Sequence, residues 1–485
     1  MKKRNFAVRI FCMVLAILML LSITACGNKE EDTDISETEV TTSSDPEKVF
    51  PEADYGGSDF IMLIRKDDQW VKDCFIEELN TESTSVDKAV YSRNAMIEDQ
   101  FNINFVVVKG SSSHVSGNVS KVVLAESNTY DLVVNHGRNA FKDAMSGFCV
   151  DWNTLEHTDL TGEWWAQSAV EQWKTPSGGL YLMNGDISYL ATGYAMGMFF
   201  NKRVIDDAKI KSPYEYVKED NWTMDTFFQA VKDADASITG GDGSGTLETD
   251  TFGYLCQTWR GPVAAMYSAG NATFELRNDG KYDIGIENER TVYAVDKFRD
   301  FVFNGGASYF LDSTSSGVGR PYFTRGDVVF FDDCIHSAYN FKDTIDFGIV
   351  PWPKYEQDDE YVSLVTAGTN TFEILNNCSE DNLERISLIV EAMAYYGYKD
   401  VVPYYFETVL SYQSAKDENS AENLRIIYEH LYFDLGQYGN FGNIGNAGVY
   451  IYNDFSKYGT SLGTSITSLR ENTMLELEVW SNLGK

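Results

Sequence analysis

The sequence predicts an α/β protein built as two lobes. Residues 58–134 alternate apolar strand, amphipathic helix, strand, helix and strand, the rhythm of a parallel sheet with helices on its faces. The chain has 485 residues, too many for one hydrophobic core. Residues 185–207 form an apolar run with glycines at Gly193 and Gly197 that turns, at Asn201-Lys202, into a short amphipathic helix bearing Val204, Ile205 and Ala208 on one side. Glycine weakens a strand and suits a place where the backbone bends or is closely approached. The run reads as a connector between lobes; an ordinary core strand and turn is the alternative.

The elements follow in order. Lys2, Lys3, Arg4 and Arg9 precede a short apolar run over residues 10–23, too short to span a bilayer in a mature protein. That run ends at Ile23-Thr24-Ala25-Cys26-Gly27, which resembles a bacterial lipobox. The resemblance implies a signal peptide over residues 1–25 and a Cys26 that is acylated (the palmitate anchor of a lipoprotein) and becomes the new N-terminus. Several acyl chains give the stable anchoring that one cannot. Residues 28–57 contain ten Asp or Glu and two Lys among many Thr and Ser. Such a segment cannot bury enough apolar surface to fold, so residues 26–57 are expected as a disordered acidic tether.

In the body, strands are expected at residues 60–64, 103–108 and 131–134, separated by helices at 86–100 and 115–125. Ligands bind at the carboxyl ends of strands in such sheets. Those ends carry Asp67, Trp70, His136 and Arg138. Trp152, Trp164, Trp165 and Trp173 follow. Thr223 is expected to cap a helix reaching residue 236. A strand over residues 252–256 leads to Trp259-Arg260, and helices follow at 263–269 and 289–303. The strand 328–331 ends in Asp332-Asp333, and the strand 347–353 stops hard at its prolines. Residues 362–375 are extended, and the chain from residue 382 is helical apart from a Tyr- and Gly-rich stretch at 432–452.

The formal charge is −34 and the pI about 4.4, a balance that repels nucleic acid phosphates. Cys74, Cys149, Cys256, Cys334 and Cys378 form neither a disulfide framework nor a zinc pattern, and buried free thiols are expected. His114, His136, His157, His336 and His430 are too scattered for a His-Glu-x-x-His site. No Gly-x-Ser-x-Gly elbow or phosphate-cradling glycine loop is present. Asp233, Asp235 and Ser237 begin like a calcium loop, but Ile238 replaces its glycine and Ser244 its glutamate. No metal and no cofactor are expected. Asp332-Asp333 is the best acidic pair for glycoside hydrolysis, yet neighbouring strand residues point to opposite faces, which argues against a dyad.

Several short motifs resemble those of family 1 extracellular solute-binding proteins, the sugar-binding subunits of ABC importers, similar in plan to maltodextrin-binding protein. Phe199-Phe200-Asn201-Lys202 resembles that family's aromatic-Asn-Lys turn, and Trp222-Thr223-Met224-Asp225 its helix start. Gly326-Asp327-Val328-Val329-Phe330, Gly348-Ile349-Val350-Pro351-Trp352-Pro353 and Ala367-Gly368-Thr369 match later strands. Pro403, Tyr405, Glu407 and residues 415–420 look like a Gram-positive subgroup. The resemblance spans about residues 58–430 and is loose beyond. It implies a two-lobed periplasmic-binding-protein-like fold (type II), with mixed sheets flanked by helices and hinge-connected lobes with a cleft between. The implied lobes are 58–185 plus 328–362 and 186–327 plus 363–485, with crossings near residues 186, 327 and 363.

A sugar needs flat aromatic rings for its C–H faces and polar groups for its hydroxyls. Trp70, His136, Arg138, Trp164, Trp259, Arg260, Asp332 and Asp333, with Thr369 and Asn370, are therefore the candidate ligand contacts. For each Trp, packing in the core is the alternative. The function implied is capture of a carbohydrate, most simply an oligosaccharide, by a monomer anchored by lipid at the extracellular face of the cell membrane. It would deliver the sugar, without chemistry, to ABC transporter permease subunits. A surface glycoside hydrolase or lyase using Asp332 and a non-transport adhesin or sensor are the competing readings.

Overall fold

The structure, a computed structural model, describes residues 48–111, 114–238, 245–311, 317–413, 417–447 and 462–485. Cys26, the signal segment and most of the tether lie outside these, as do residues 414–416 of the subgroup motif. The folded body begins earlier than the composition implies. Phe50, expected within the tether, packs its ring 5.5 Å from Tyr396 and 5.7 Å from Tyr395, and the Tyr55 hydroxyl donates to Glu384 at 3.3 Å. Two aromatic residues are enough to draw the end of an otherwise polar segment onto a surface.

Two sheets organise the body. The strands are β1 (Ser58–Ile64), β2 (Ile103–Lys109), β3 (Leu132–His136), β4 (Met196–Asn201), β5 (Phe252–Gln257), β6 (Phe274–Leu276), β7 (Tyr282–Ile284), β8 (Ser308–Leu311), β9 (Val328–Cys334), β10 (Phe347–Pro351), β11 (Ser363–Leu364), β12 (Asn370–Glu373) and β13 (Leu431–Tyr432). The first sheet has order β12-β3-β1-β2, with β1 parallel to β2 and β3 and with β12 antiparallel to β3. The second has order β10-β4-β9-β5-β8, with β5 parallel to β8 and β9 and with β4 antiparallel to β9 and β10. β6 and β7 form a hairpin, and β11 pairs with β13.

Both faces of the first sheet are covered. Phe60, Met62 and Ile64 point into the main core, while Leu63 and Val133 meet Val115 and Val119 beside the helix Ser116–Leu124. Two covered faces explain why β1 and β3 are continuous apolar runs instead of alternating ones. The helix Ser85–Phe101 carries a capping box, Thr84 with Asp87, and the helix Met224–Ser237 starts at Thr223 as its sequence signals.

The fold is two-lobed, and the pairing assigns its strands differently from the motif reading. β9 and β10, expected with the first lobe, lie in the second sheet, where they flank β4. β12, expected with the second lobe, lies in the first sheet against β3. No crossing occurs near residue 327, because β9 remains in the sheet of β4 and β5. Periodicity marks a strand but not its partner, and pairing is decided by long-range contact. The crossings run side by side. Met183 bridges Phe372 and Ala195 bridges Val365, so residues 184–194 pass between the sheets next to 366–371. Asn184 Nδ2 donates to the Asn370 carbonyl at 2.6 Å, and the Thr366 amide donates to the Tyr194 carbonyl at 3.2 Å.

The other tryptophans of the cluster are core: Trp152, Trp165 and Trp173 are fully buried, as is Trp352 between its prolines. Cys74, Cys149, Cys256 and Cys334 are buried free thiols, and Cys378 is free and half-buried.

Candidate functional site

The carboxyl ends of β1 and β3 stop at one edge of the first sheet, because parallel strands in register end together. Arg65 follows β1 directly and is buried. Its Nη1 donates to the Gly368 carbonyl at 2.7 Å, and its guanidinium lies 3.7 Å over the Trp70 ring. Trp70 stands on the short helix Asp68–Lys72, with its ring 5.1 Å from that of Tyr194. Tyr194 in turn stacks on His336 at 4.6 Å and 10°. At the end of β3, His136 Nδ1 accepts from the Arg138 amide at 3.2 Å and so caps the helix Gly137–Met145. Burial, with Arg65 and Arg138 adding to it, pushes the His136 imidazole down to about 3.

The second wall is made by β5 and β9. β5 ends at Gln257, and the turn carrying Trp259 and Arg260 leads into the helix Gly261–Tyr267. Asp333, at the end of β9, is fully buried and accepts from Arg260 Nε at 2.8 Å and Arg320 Nε at 2.7 Å. Burial alone would raise the Asp333 carboxyl. The two guanidiniums outweigh it and hold the group well below the usual carboxylate range. Asp332 faces the other way. It accepts from the Tyr254 hydroxyl at 2.7 Å, behind a wall of Phe227, Phe298 and Phe301, and burial pushes it up to about 7.

The crossing segment closes the floor. A Cβ on Gly193 would stand 2.9 Å from the Tyr405 hydroxyl, and one on Gly197 2.7 Å from Ile335 Cδ1, so both glycines allow close approach. The Gly193 carbonyl lies 3.2 Å from His336 Nδ1. Burial pushes the Tyr194 phenol up and Cys334 adds to this, while Arg65, Arg260 and Arg320 pull it down. Burial also lowers His336, to about 4.

Of the residues singled out in the sequence, Trp70, His136 and Arg138 lie at the first wall, and Trp259, Arg260 and Asp333 at the second. Arg138 is committed to the C-terminal segment: its guanidinium donates to the Gln437 carbonyl at 3.2 Å, to Gln437 Oε1 at 2.7 Å and to Asn446 Oδ1 at 2.8 Å. Four of the candidate contacts, Trp164, Asp332, Thr369 and Asn370, stand apart from the site. Trp164 and Trp165 donate their indole N–H groups to the two oxygens of buried Glu391, at 3.0 and 2.9 Å, against the helix Glu380–Tyr396. Asp332 is a core carboxylate. Thr369 donates to the Leu190 carbonyl at 3.1 Å, and Asn370 Nδ2 donates to the Trp70 carbonyl at 3.2 Å and to Asp73 at 2.9 Å. Both of these fasten the crossing and present no free polar edge to a ligand.

Arg65, Tyr194, Arg320 and His336 were missed. A charge set directly after an apolar strand signals Arg65, and an aromatic between two glycines of a connector signals Tyr194. Nothing local signals Arg320 or His336. Among the described residues, no cluster of His, Cys, Asp and Glu is placed to hold a metal ion. An open groove of about 700 Å³, lined by Tyr55, Glu156, Glu384 and Arg385, lies at the amino end of β1, the edge opposite to the one that carries Arg65.

No protein-family model matches the sequence, and no curated protein matches it. Solved structures do match the fold. The cyclic alpha-maltosyl-1,6-maltose binding protein of Arthrobacter globiformis superposes with a TM-score of 0.57 at 12% identity, over 87% of this chain and 100% of its own. The fold is that of the two-lobed solute-binding proteins. UgpB of Mycobacterium tuberculosis, solved with glycerophosphocholine, gives 0.55 at 13% identity over 87% and 98% of the two chains. The GacH receptor of Streptomyces glaucescens, solved unliganded and with acarbose, gives 0.54 at 11% identity over 87% and 99%. In this solute-binding-protein fold the cluster around Tyr194 occupies the place where the crossing segments meet the carboxyl ends of both sheets.

Proposed function

We propose that this chain is a family 1 extracellular solute-binding protein that captures a carbohydrate between its lobes and passes it, chemically unchanged, to the permease of an ABC importer. The observation that carries the reading is the stack of Arg65, Trp70, Tyr194 and His336 at the crossing segments, where strand ends of two sheets stop. Brought against a sugar, the rings cover C–H faces and the guanidiniums and imidazoles satisfy hydroxyls. Strand pairing supports one lobe built from residues 50–185 with β12, and a second from β4 through β10. Closure is driven by contacts better made in the closed state. The lipobox at Cys26 and the acidic tether support a monomer anchored by lipid outside the cell of a Gram-positive bacterium. The divergence of Asp332 and Asp333 weighs against hydrolysis by that pair.

The test is a titration of the detergent-solubilised full chain with mono- and oligosaccharides. Saturable one-to-one binding is expected, with a Tm that rises with ligand, a smaller radius of gyration on binding, and no product. Release of cleaved sugar, or binding without compaction, would overturn the reading in favour of an enzyme or an adhesin.

A further inference from the structure

We infer that the C-terminal segment, residues 431–447 with the helix Leu462–Ser481, is a brace that ties the two walls of the candidate site together and limits how far they part. The inference rests on the reading that ligand binds between two lobes, and adds a device that the reading does not require.

The segment lies beyond residue 430, where the family resemblance is loose. It grips each wall through the helix that starts there. On the first wall, the helix Gly137–Met145 begins at the end of β3, and its Arg138 donates to Gln437 and Asn446. A Cβ on Gly137 would stand 2.6 Å from the Tyr438 ring, so backbone and ring touch. Tyr438 lies 4.8 Å from Trp173. On the second wall, the helix Gly261–Tyr267 begins directly after Arg260. Its last residue, Tyr267, donates to Asp434 at 2.9 Å. Asp434 is fully buried and also accepts from the Thr273 amide at 2.8 Å and the Thr273 hydroxyl at 2.6 Å. Arg470 of the last helix pairs with Asp283 and Glu287, at and beyond the end of β7.

The two grips are one helical turn apart. Asp434 caps the helix Leu435–Gly439 through the Gln437 amide at 2.9 Å, and Gln437 and Tyr438 stand in that same turn. One turn spans about 5.4 Å and leaves no slack. A Cβ on Gly436 would overlap the Thr273 side chain, so the turn is seated against the start of β6. Rings make a second bridge. Phe141, Trp480, Phe441 and Phe274 follow one another at 4.9, 6.2 and 5.8 Å. Phe141 belongs to the helix of the first wall, and Phe274 to the strand that follows the helix of the second. A segment that only filled the core of one lobe would touch one wall. Parting the walls here strips a buried carboxylate of its donors or opens the ring packing, and both are costly. The brace thus holds the ligand-free protein near its binding arrangement, so less binding energy goes into closing.

The experiment is small-angle neutron scattering, with the detergent contrast-matched, on the ligand-free full chain, together with hydrogen exchange. Asp434→Asn and the double variant Tyr267→Phe with Thr273→Val both loosen the second grip. Each is expected to enlarge the ligand-free radius of gyration. In the double variant, which keeps Asp434, exchange at the Thr273 and Gln437 amides should rise about 10- to 100-fold, the range of a hydrogen bond to a charged group. Saturating maltotriose should return Asp434→Asn to the ligand-bound size of the unaltered chain, with affinity about 10-fold weaker because fewer molecules start near closure. If Asp434→Asn does not fold, the double variant, which removes only two hydroxyl groups, decides. A ligand-free radius unchanged in every folded variant would overturn the brace, even with faster exchange, since the segment would then be local packing. Failure of any saccharide to bind would count against carbohydrate capture and leave the brace to the ligand-free radii.

Discussion

Asp332 and Asp333 are neighbours on β9, both fully buried, and they behave in opposite ways. Asp333 turns toward Arg260 and Arg320, accepts from both, and stays ionised. Asp332 looks toward the helices, meets one phenol, and is pushed up to about 7. A parallel contrast separates two tryptophans. Trp70 lies under a guanidinium and beside Tyr194 at the crossing, whereas Trp164 ties its indole to Glu391 behind the first sheet. Residue type is the same within each pair. What differs is the face of the element, and with it the neighbours that fix charge state and exposure. Asp332 and Trp164 thus fasten elements behind the sheets, whereas Asp333 and Trp70 join the side chains gathered at the strand ends.

Breaking Asp333 tests that division most severely. Asp333→Ala leaves two guanidiniums unpaired, and a loss of about 3–5 kcal/mol is expected in denaturant unfolding. An unchanged midpoint would mean that the pair is solvated. Asp332 sharpens the contrast through pH. Its folded pKa is raised above the ordinary carboxylate value, so the stability it contributes is full at low pH and lost as pH rises from about 4 through about 7. Asp186, pushed by burial to about 7, acts in the same direction. Tm should fall between pH 5 and pH 8, and Asp332→Asn should flatten that fall by on the order of a few kcal/mol. Asp333 has the opposite sign: its lowered pKa gives stability that is present at neutral pH and lost only in strong acid.

Glu391→Gln should cost roughly 1–3 kcal/mol, because one of two buried indole N–H groups loses its acceptor. Ligand affinity should be untouched, and a matching loss of affinity would place Trp164 in the cleft after all. Trp259 gives the smallest effect on stability. It is half-exposed in the turn after β5, so Trp259→Ala should change unfolding by less than about 0.5 kcal/mol. It should nevertheless weaken ligand binding and reduce ligand-induced quenching of fluorescence.

The sequence alone determined the alternation of strands and helices, the length that demands two lobes, and the glycine-loosened connector. These depend on local periodicity and backbone freedom, which neighbours in sequence decide. It also pointed to strand ends, and so to Trp70, His136 and Arg260. Only the tertiary structure decided that β9 and β10 join β4, that β12 joins β3, and that Asp332 turns to Tyr254 while Asp333 turns to Arg260 and Arg320. It alone brought His336 to Tyr194, from more than a hundred residues away in the chain. Strand pairing and charge state are set by which surfaces meet across long loops, and no local pattern encodes that meeting.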